Sequence, residues 1–310
     1  MPSSETCHHI TNTVDLMKLR HRARGFSFLP KQPVHSLLSG KHSSRLRGRG
    51  LNFEELRHYR SGDDIRTMDW KVTNRTKKPH VRVYTEERER PVLLLVDQRV
   101  SMFFGSQVKM KSVTAVEIAA LAAWRVLDAS DRVGALIFGD DSIIEIRPER
   151  SKKTVMRILA ELERANKALL EINRPKSNQP QLNLVLKKTE QLCKHDTLII
   201  LISDFDGWNE ESVKRVKRLS RHNDLIASYV FDPLEKTLPE SQSLVVSDGS
   251  MQLEVKPREQ DLGKKFAEAF DSNVSSIEQE LKKHRIPVIP IQTVDPVHEQ
   301  LRKAIGAVRR

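Results

Sequence analysis

From residue 91 onward the apolar positions follow two rhythms. PVLLLVD (91–97), RVGALIFGD (132–140), TLIILISD (197–204) and LIASYVFD (225–232) are continuous apolar runs. Runs of this kind mark strands buried on both faces. Between them, SVTAVEIAALAAWRVLDA (112–129), TVMRILAELERANKALL (154–170), LNLVLKKTEQLC (182–193) and ESVKRVKRLSRH (211–222) repeat apolar residues at helical spacing. IIEIRPE (143–149) pairs beside the second strand. After 236 come two short strand patterns (LVVSD, QLEVK), a helix from about 260 to 284, PVIPIQT as a strand and a last helix from 296. Alternating buried strands and helices predict an α/β fold with a mostly parallel sheet covered by helices on both faces. Before 91 the pattern weakens. A short basic helix is expected near 13–24, and SLLSGKHSSRLRGRG (36–50) reads as loop. Residues 51–80 carry Phe53, Leu56, Tyr59, Ile65, Met68 and Trp70 among many charges, and RSGDD (60–64) signals a turn. VRVYTEE (81–87) alternates like a half-buried strand. These shifts divide the chain at 1–34, 35–90, 91–235 and 236–310, as a basic N-terminal segment, a region before the sheet, the sheet domain and a C-terminal α/β extension.

Charge changes this picture at one end. The 310 residues carry a net charge of +12, and residues 1–50 hold nine Lys or Arg against Glu5 and Asp15. Such a segment attracts acidic partners or is simply solvated. Few core-like apolar positions lie in 1–34, so its deletion is expected to leave the fold nearly intact. Other classes fall away. No apolar run reaches the ~18 residues of a membrane span, and the N-terminal residues lack a signal-peptide pattern, so a cytoplasmic protein without a transmembrane segment is expected. With only Cys7 and Cys193, no disulfide framework or cysteine-rich zinc site is available. Cys7-His8-His9 reads as an exposed terminal tract. Neither a phosphate-binding G-x-x-x-x-G-K-[ST] loop nor H-E-x-x-H is present.

Candidate chemistry sits where the strands end. Open α/β sheets bind ligands beyond the carboxyl ends of their strands, at the point where strand order reverses. Two apolar strands end in aspartate, at Asp97 and Asp204. As neighbours, their carboxylates meet over one edge. Asp97, Arg99 and Ser101 alternate along the following turn and can face one direction. A carboxylate and hydroxyls converging on one point suit a hard cation such as Mg²⁺.

D-x-R-x-S-M at 97–102, a following helix and ILISDFD at 200–206 resemble a von Willebrand factor A domain. More closely, the chain resembles the DUF58 family over roughly 35–305, through SGDDIRTMDW (61–70), ERERPVLLLVD (87–97), FGSQVKMKSVTAVEIAALAAW (104–124), DRVGALIFGD (131–140) and VFDPLEKTLP (230–239). The resemblance implies a von Willebrand A-like, Rossmann-like fold. It also implies a metal-ion-dependent adhesion site of the form D-x-S-x-S, with a Thr on a second loop and an Asp on a third. Asp97 and Ser101 match the first loop and Asp204 the third. Arg99 stands where a Ser ligand would be, and SNQPQLNLVL (177–186) offers no Thr. A guanidinium is always cationic and cannot ligate a metal. Three arrangements stay open. Arg99 lies between Asp97 and Asp204 in the ion's electrostatic role; or it swings outward and Mg²⁺ binds weakly to Asp97, Ser101, Asp204 and waters; or the strand end is purely structural. Arg99, Asp206 and Trp208 are candidates for contacting a partner, the last two also for capping the next helix.

Elsewhere the expectations are structural. Asp63, Asp64 and Asp69 are expected to pair with Arg66, Arg75 and Lys71 while Trp70 packs on a sheet. Glu86, Glu87, Arg88, Glu89 and Arg90 read as a solvated charge run at a strand edge. Trp124 is expected in the core.

For function, the resemblance implies a non-catalytic protein-interaction module or adaptor. Its partner would be a MoxR-type AAA+ ATPase or another von Willebrand A protein, in the assembly or maturation of protein complexes. Nucleic-acid binding through the basic N-terminal region is the alternative, opposed by the 5% aromatic content and the absence of a reader motif. A metal-dependent hydrolase is third, opposed by the lack of an identifiable base or nucleophile.

Overall fold

Helix α1 (Thr13–Lys18) opens the part of the chain that the computed structural model describes: residues 10–23, 51–86, 91–170, 178–236, 244–247, 252–255 and 260–307. The chain divides into two units, Pro33–Glu89 on one hand and Met1–Gln32 with Arg90–Arg310 on the other. Cys7, His8, His9, the Arg-rich stretch 36–50 and positions 87–90 of the charge run lie outside the described residues.

In the smaller unit β1 (Leu51–His58) and β2 (His80–Glu86) pair antiparallel, with helix α2 (Trp70–Thr76) between them in sequence. The acidic turn is held differently from expectation. Asp63 pairs with Arg57 at 2.7 Å, and Asp69 caps α2 and pairs with Arg82 at 2.8 Å. The hairpin sets these strand arginines beside the turn, so Arg66, Arg75 and Lys71 are not the ion-pair partners. Asp64 caps the short helical turn Ile65–Thr67 instead. Trp70 is 64% exposed rather than packed.

The larger unit is built on a six-stranded sheet. Its elements are β3 (Pro91–Asp97), α3 (Lys111–Asp128), β4 (Arg132–Phe138), β5 (Ile143–Glu149), α4 (Lys152–Ala168), α5 (Gln181–Leu192), β6 (Leu198–Ser203), α6 (Glu210–Leu219), β7 (Asp224–Phe231), α7 (Pro233–Lys236), a hairpin of β8 (Leu244–Ser247) and β9 (Gln252–Val255), α8 (Gln260–Lys283), β10 (Val288–Gln292) and α9 (Val297–Ala307). Strand order is β10-β7-β6-β3-β4-β5, parallel throughout except for antiparallel β5. Order reverses between β3 and β6, which are neighbours in register from Val92↔Leu198 to Val96↔Ile202.

Side chains alternate across a strand, so each run of apolar residues feeds two cores. Val92, Leu94 and Val96 face a layer of α3, α4 and α9 residues, while Leu93 and Leu95 face Leu182, Leu186 and Val216 from α5 and α6. Helix α3 is buried almost all round because helices α1, α4 and α9 pack beside it. That explains its Ala-rich composition, since small side chains admit close neighbours.

The N-terminal segment is not peripheral where it is described. Leu16 is 1% exposed, and its carbonyl accepts the indole N–H of buried Trp124 at 3.1 Å. Thr13 donates its backbone N–H to Glu163 on α4 at 2.7 Å, and Arg20 pairs with Asp128 at the end of α3. One buried leucine and a few caps suffice to hold a six-residue helix that has little periodicity of its own. Among the described residues no helix is long and apolar enough to cross a membrane.

Candidate functional site

The pairing of β3 with β6 places Asp97 beside Ser203 and one residue from Asp204. Asp97 is fully buried, as expected at the end of a strand covered on both faces. Its carboxylate accepts from the Ser203 hydroxyl at 2.6 Å and from the Arg99 backbone N–H at 3.0 Å. The Arg99 side chain turns back onto the same group. Nη2 lies 2.7 Å from Asp97 Oδ2, and Nε lies 3.0 Å from Oδ1. Nη2 also donates to the Asp206 carbonyl at 3.0 Å and sits 3.8 Å from Asp204 Oδ1. Nη1 reaches the Asn178 carbonyl at 3.4 Å, and the guanidinium lies 5.7 Å from the Phe138 ring centroid. No surface of Arg99 remains exposed.

A second cation completes the cluster. Lys111, the first residue of α3, is 3% exposed and donates to Asp204 Oδ2 at 3.0 Å and to Glu235 Oε1 at 2.6 Å. Ser101 is more remote, its hydroxyl 3.4 Å from Asp204 Oδ1. Asp140, at the β4 end, ties the loops together by accepting from the backbone N–H of Val100 and of Asn178.

Burial and charge compete at each group. Burial pushes the Asp97 carboxyl up, against the pull of Arg99. Burial would also raise Asp204, but Lys111 and Arg99 outweigh it and hold that carboxyl below its usual range. Burial disfavours both cations, yet the facing carboxylates dominate and raise Arg99 and Lys111 above their ordinary values.

The loop after β6 is shaped to close over this cluster. Phe205 adopts a left-handed backbone with φ 62°, which costs about 1–3 kcal/mol for a non-glycine residue. Its N–H bonds to the Ser203 hydroxyl at 2.9 Å, and its ring packs edge-on to Trp208 at 5.4 Å. This turn aims the Asp206 carbonyl at Arg99. Gly207 follows at φ 79°, where a Cβ would lie 2.5 Å from the Gln179 carbonyl, so only glycine fits. Asn209 then caps α6. Asp206 and Trp208 are partly exposed, and Asp206 Oδ1 accepts from Gln179 at 3.1 Å. Beside them a groove of about 430 Å³ opens between α5 and α6, lined by Pro180, Leu184, Lys187, Asn209 and Arg215 among others. Leu184 is 50% exposed in it.

The sequence-predicted residues Asp97, Arg99, Ser101 and Asp204 thus converge, with Asp206 and Trp208 on the rim. The donor set does not fit a resident Mg²⁺. Arg99 and Lys111 occupy the carboxylate oxygens that an ion would need, and the 178–180 loop supplies no hydroxyl ligand. No group of three or more His, Cys, Asp or Glu side chains among the described residues is placed to hold a metal. Lys111, Ser203 and Glu235 were not anticipated. Lys111 left one signal: a lysine opening an apolar helix opposes the helix dipole and needs carboxylates nearby. Ser203 and Glu235 left none.

The family model described as "Protein of unknown function DUF58" matches residues 55–276. Uncharacterized protein Rv1480 of Mycobacterium tuberculosis is 28% identical over 241 residues, covering 76% of this chain and 72% of the relative. Uncharacterized protein Mb1516 of Mycobacterium bovis gives the same figures. Among solved structures, the conserved hypothetical protein BatB from Bacteroides thetaiotaomicron aligns at 13% identity with a TM-score of 0.42, covering 70% of this chain and 98% of that one. An aerotolerance-related membrane protein from Bacteroides fragilis aligns at 16% identity with a TM-score of 0.42, covering 70% and 96%.

Proposed function

The chain belongs to the DUF58 family, and from that premise we propose that it is a non-catalytic protein-interaction module of von Willebrand factor A type. Its partner is a MoxR-type AAA+ ATPase, and the pair works in the assembly or maturation of protein complexes in the cytoplasm. The partner meets the edge of the sheet where β3 and β6 end.

The observation that carries this reading is the saturation of that edge by its own charges. Arg99 and Lys111 are buried against Asp97, Asp204 and Glu235. A catalytic carboxylate or an ion-binding one must be reachable and free to change partners, and neither Asp97 nor Asp204 is. What the edge offers instead is a surface: Trp208 and Asp206 on the rim, and the groove with Leu184 on its wall. A partly exposed tryptophan beside a groove suits the anchor of a protein interface, where Trp is enriched. Since Arg99 and Lys111 are already held by the edge's own carboxylates, the partner docks on Trp208 and the groove rather than through a bridging ion. The hydrolase reading has no comparable support, because the best-placed carboxylates are the least accessible.

Affinity capture of the full-length protein, followed by mass spectrometry, tests this. A MoxR-type ATPase is expected in the bound fraction and is lost with Leu184→Asp, at a half-exposed position, while the melting temperature holds. Hydrolysis of a test ester or phosphate that requires Asp204 and added Mg²⁺ would overturn the reading.

A further inference from the structure

Because β3, β4, β6, β7 and β10 run parallel, the loops that enter them share one edge of the sheet, opposite the site described above. Six cations stand along it. Lys152 and Lys153 open α4, Lys194 precedes β6, Arg221 precedes β7, and Lys282 and Arg285 precede β10. All six are exposed, and none makes an ion pair among the described residues. The acids nearby are engaged elsewhere: Asp196 with His195, Glu280 with Lys283, Glu149 with the Thr154 hydroxyl. The opposite edge carries no such row among the described residues. Its exposed charges include Asp141, Glu210 and Asp295, its cations Arg99 and Lys111 are buried, and its exposed Lys236 lies 3.8 Å from Asp271.

The fold does not ask for this row. Lys152 and Lys153 occupy the first turn of α4, where the helix dipole disfavours positive charge. Arg285 holds a left-handed backbone with φ 59°, a conformation better suited to glycine or asparagine. The cations extend from the end of β5 to the start of β10, the full width of six strands. At a strand spacing of about 4.8 Å that is about 24 Å.

We propose that this edge binds the phosphate backbone of nucleic acid without reading its sequence. A lysine-rich strip lacks the apolar and aromatic anchors of a protein interface, from which lysine is depleted. Leu192 is the one large apolar side chain exposed in these loops and helix ends among the described residues. Phosphate contacts, in contrast, can be made by Lys and Arg without any apolar anchor. A row of cations over about 24 Å matches an extended polyanion better than a point ligand. The inference is independent of the adaptor reading, since it concerns the other edge.

Fluorescence anisotropy of the full-length protein with a labelled 20-base-pair DNA duplex, across a salt series, tests it. Six phosphate contacts give a log–log salt slope of about −5. The variant Lys152→Glu/Lys153→Glu/Lys194→Glu/Arg221→Glu is expected to bind at least tenfold more weakly near 150 mM salt and to flatten the slope by about 4. Its melting temperature should not fall, and Lys187→Glu, at the other edge, should bind as the native protein does. An RNA duplex of equal length is expected to bind comparably, because the contacts are to phosphate. The proposal fails if the fourfold variant binds duplex as tightly as the native chain. It also fails if the native protein ignores duplex near 150 mM salt and takes up phosphatidylserine vesicles or polyglutamate instead.

Discussion

At the edge where the strands end, Arg99 and Lys111 are buried and paired; at the edge where they begin, Lys152, Lys153, Lys194, Arg221, Lys282 and Arg285 are exposed and make no ion pair among the described residues. Arg99 and Lys111 lose their water and are held by Asp97, Asp204 and Glu235. Lys152, Lys153 and Arg221 keep theirs. The same two residue types therefore carry different consequences. In the buried cluster the local dielectric is low, each charge depends on its partner, and removing one leaves another stranded. At the exposed edge, charges separated by more than about 8–10 Å scarcely feel one another at physiological salt. Substitutions there should move binding and change stability little. The contrast can be broken at several points.

The largest effect is expected from Asp97→Ala. It leaves the Arg99 guanidinium buried beside Asp204 at 3.8 Å, without its bidentate partner. Breaking a buried pair by removing one member costs about 3–5 kcal/mol, to be read from urea or thermal melts. An unchanged melt would place Arg99 in solvent and erase the difference between the edges.

The N-terminal segment runs from Thr13 in α1, bonded to Glu163, to Arg20 in the turn after it, paired with Asp128. Deleting residues 1–23 removes Leu16 from the core and strands the Trp124 indole N–H. Loss of one buried leucine corresponds to about 2 kcal/mol, again visible in urea melts. A truncated protein as stable as the full chain would return this segment to the peripheral role its sequence suggested.

Calorimetry with Mg²⁺ sharpens the account of the buried edge. Native affinity weaker than about 1 mM, or about 4 kcal/mol, is expected, because Arg99 and Lys111 already hold the carboxylates. Arg99→Ser exposes Asp97 and Asp204 and should strengthen binding about tenfold, or about 1.4 kcal/mol. Sub-millimolar binding by the native protein would contradict the internal cations.

Acid should act on the α1 attachment. Lys167 and Thr13 hold the Glu163 carboxyl down at about 2, from an ordinary 4.5. A lowered folded-state value means that its stabilisation is complete above 4.5 and is lost as pH falls through about 2. The melting-temperature difference between native protein and Glu163→Gln should stay constant above 4.5 and shrink below it. A difference that grows on acidification would give Glu163 the opposite sign.

The smallest effect belongs to the exposed edge. Lys153→Glu replaces a cation by an anion in the first turn of α4, which should stabilise the protein by about 0.5 kcal/mol. Measurable destabilisation in a chemical melt would mean that this lysine is held by a partner.

Much of the architecture was legible in the residues themselves. LLLV and LIILIS are strands because unbroken apolar runs must be covered on both faces, and the intervening helices declare themselves by spacing. Both are local patterns. That two buried strands end in aspartate, at Asp97 and Asp204, was legible too, but that they are neighbours came from the strand order. The direction of Arg99 was not legible, since a guanidinium after a strand end can turn inward or outward. It turns inward because Asp97 and the carbonyls of Asn178 and Asp206, the last two from other stretches of chain, accept its hydrogen bonds. Lys111 and Glu235 meet across 124 positions, which no periodicity encodes. Leu16 is buried only because Trp124 and its neighbours on α3 leave a place for it. The charge contrast between the two edges likewise arises from strand direction: each loop looks ordinary alone, and parallel strands gather them onto opposite sides. Sequence determined which segments are strands and helices, because those choices rest on neighbours a few residues away. Tertiary structure decided which charges are paired and which are free, because that depends on groups brought from far along the chain.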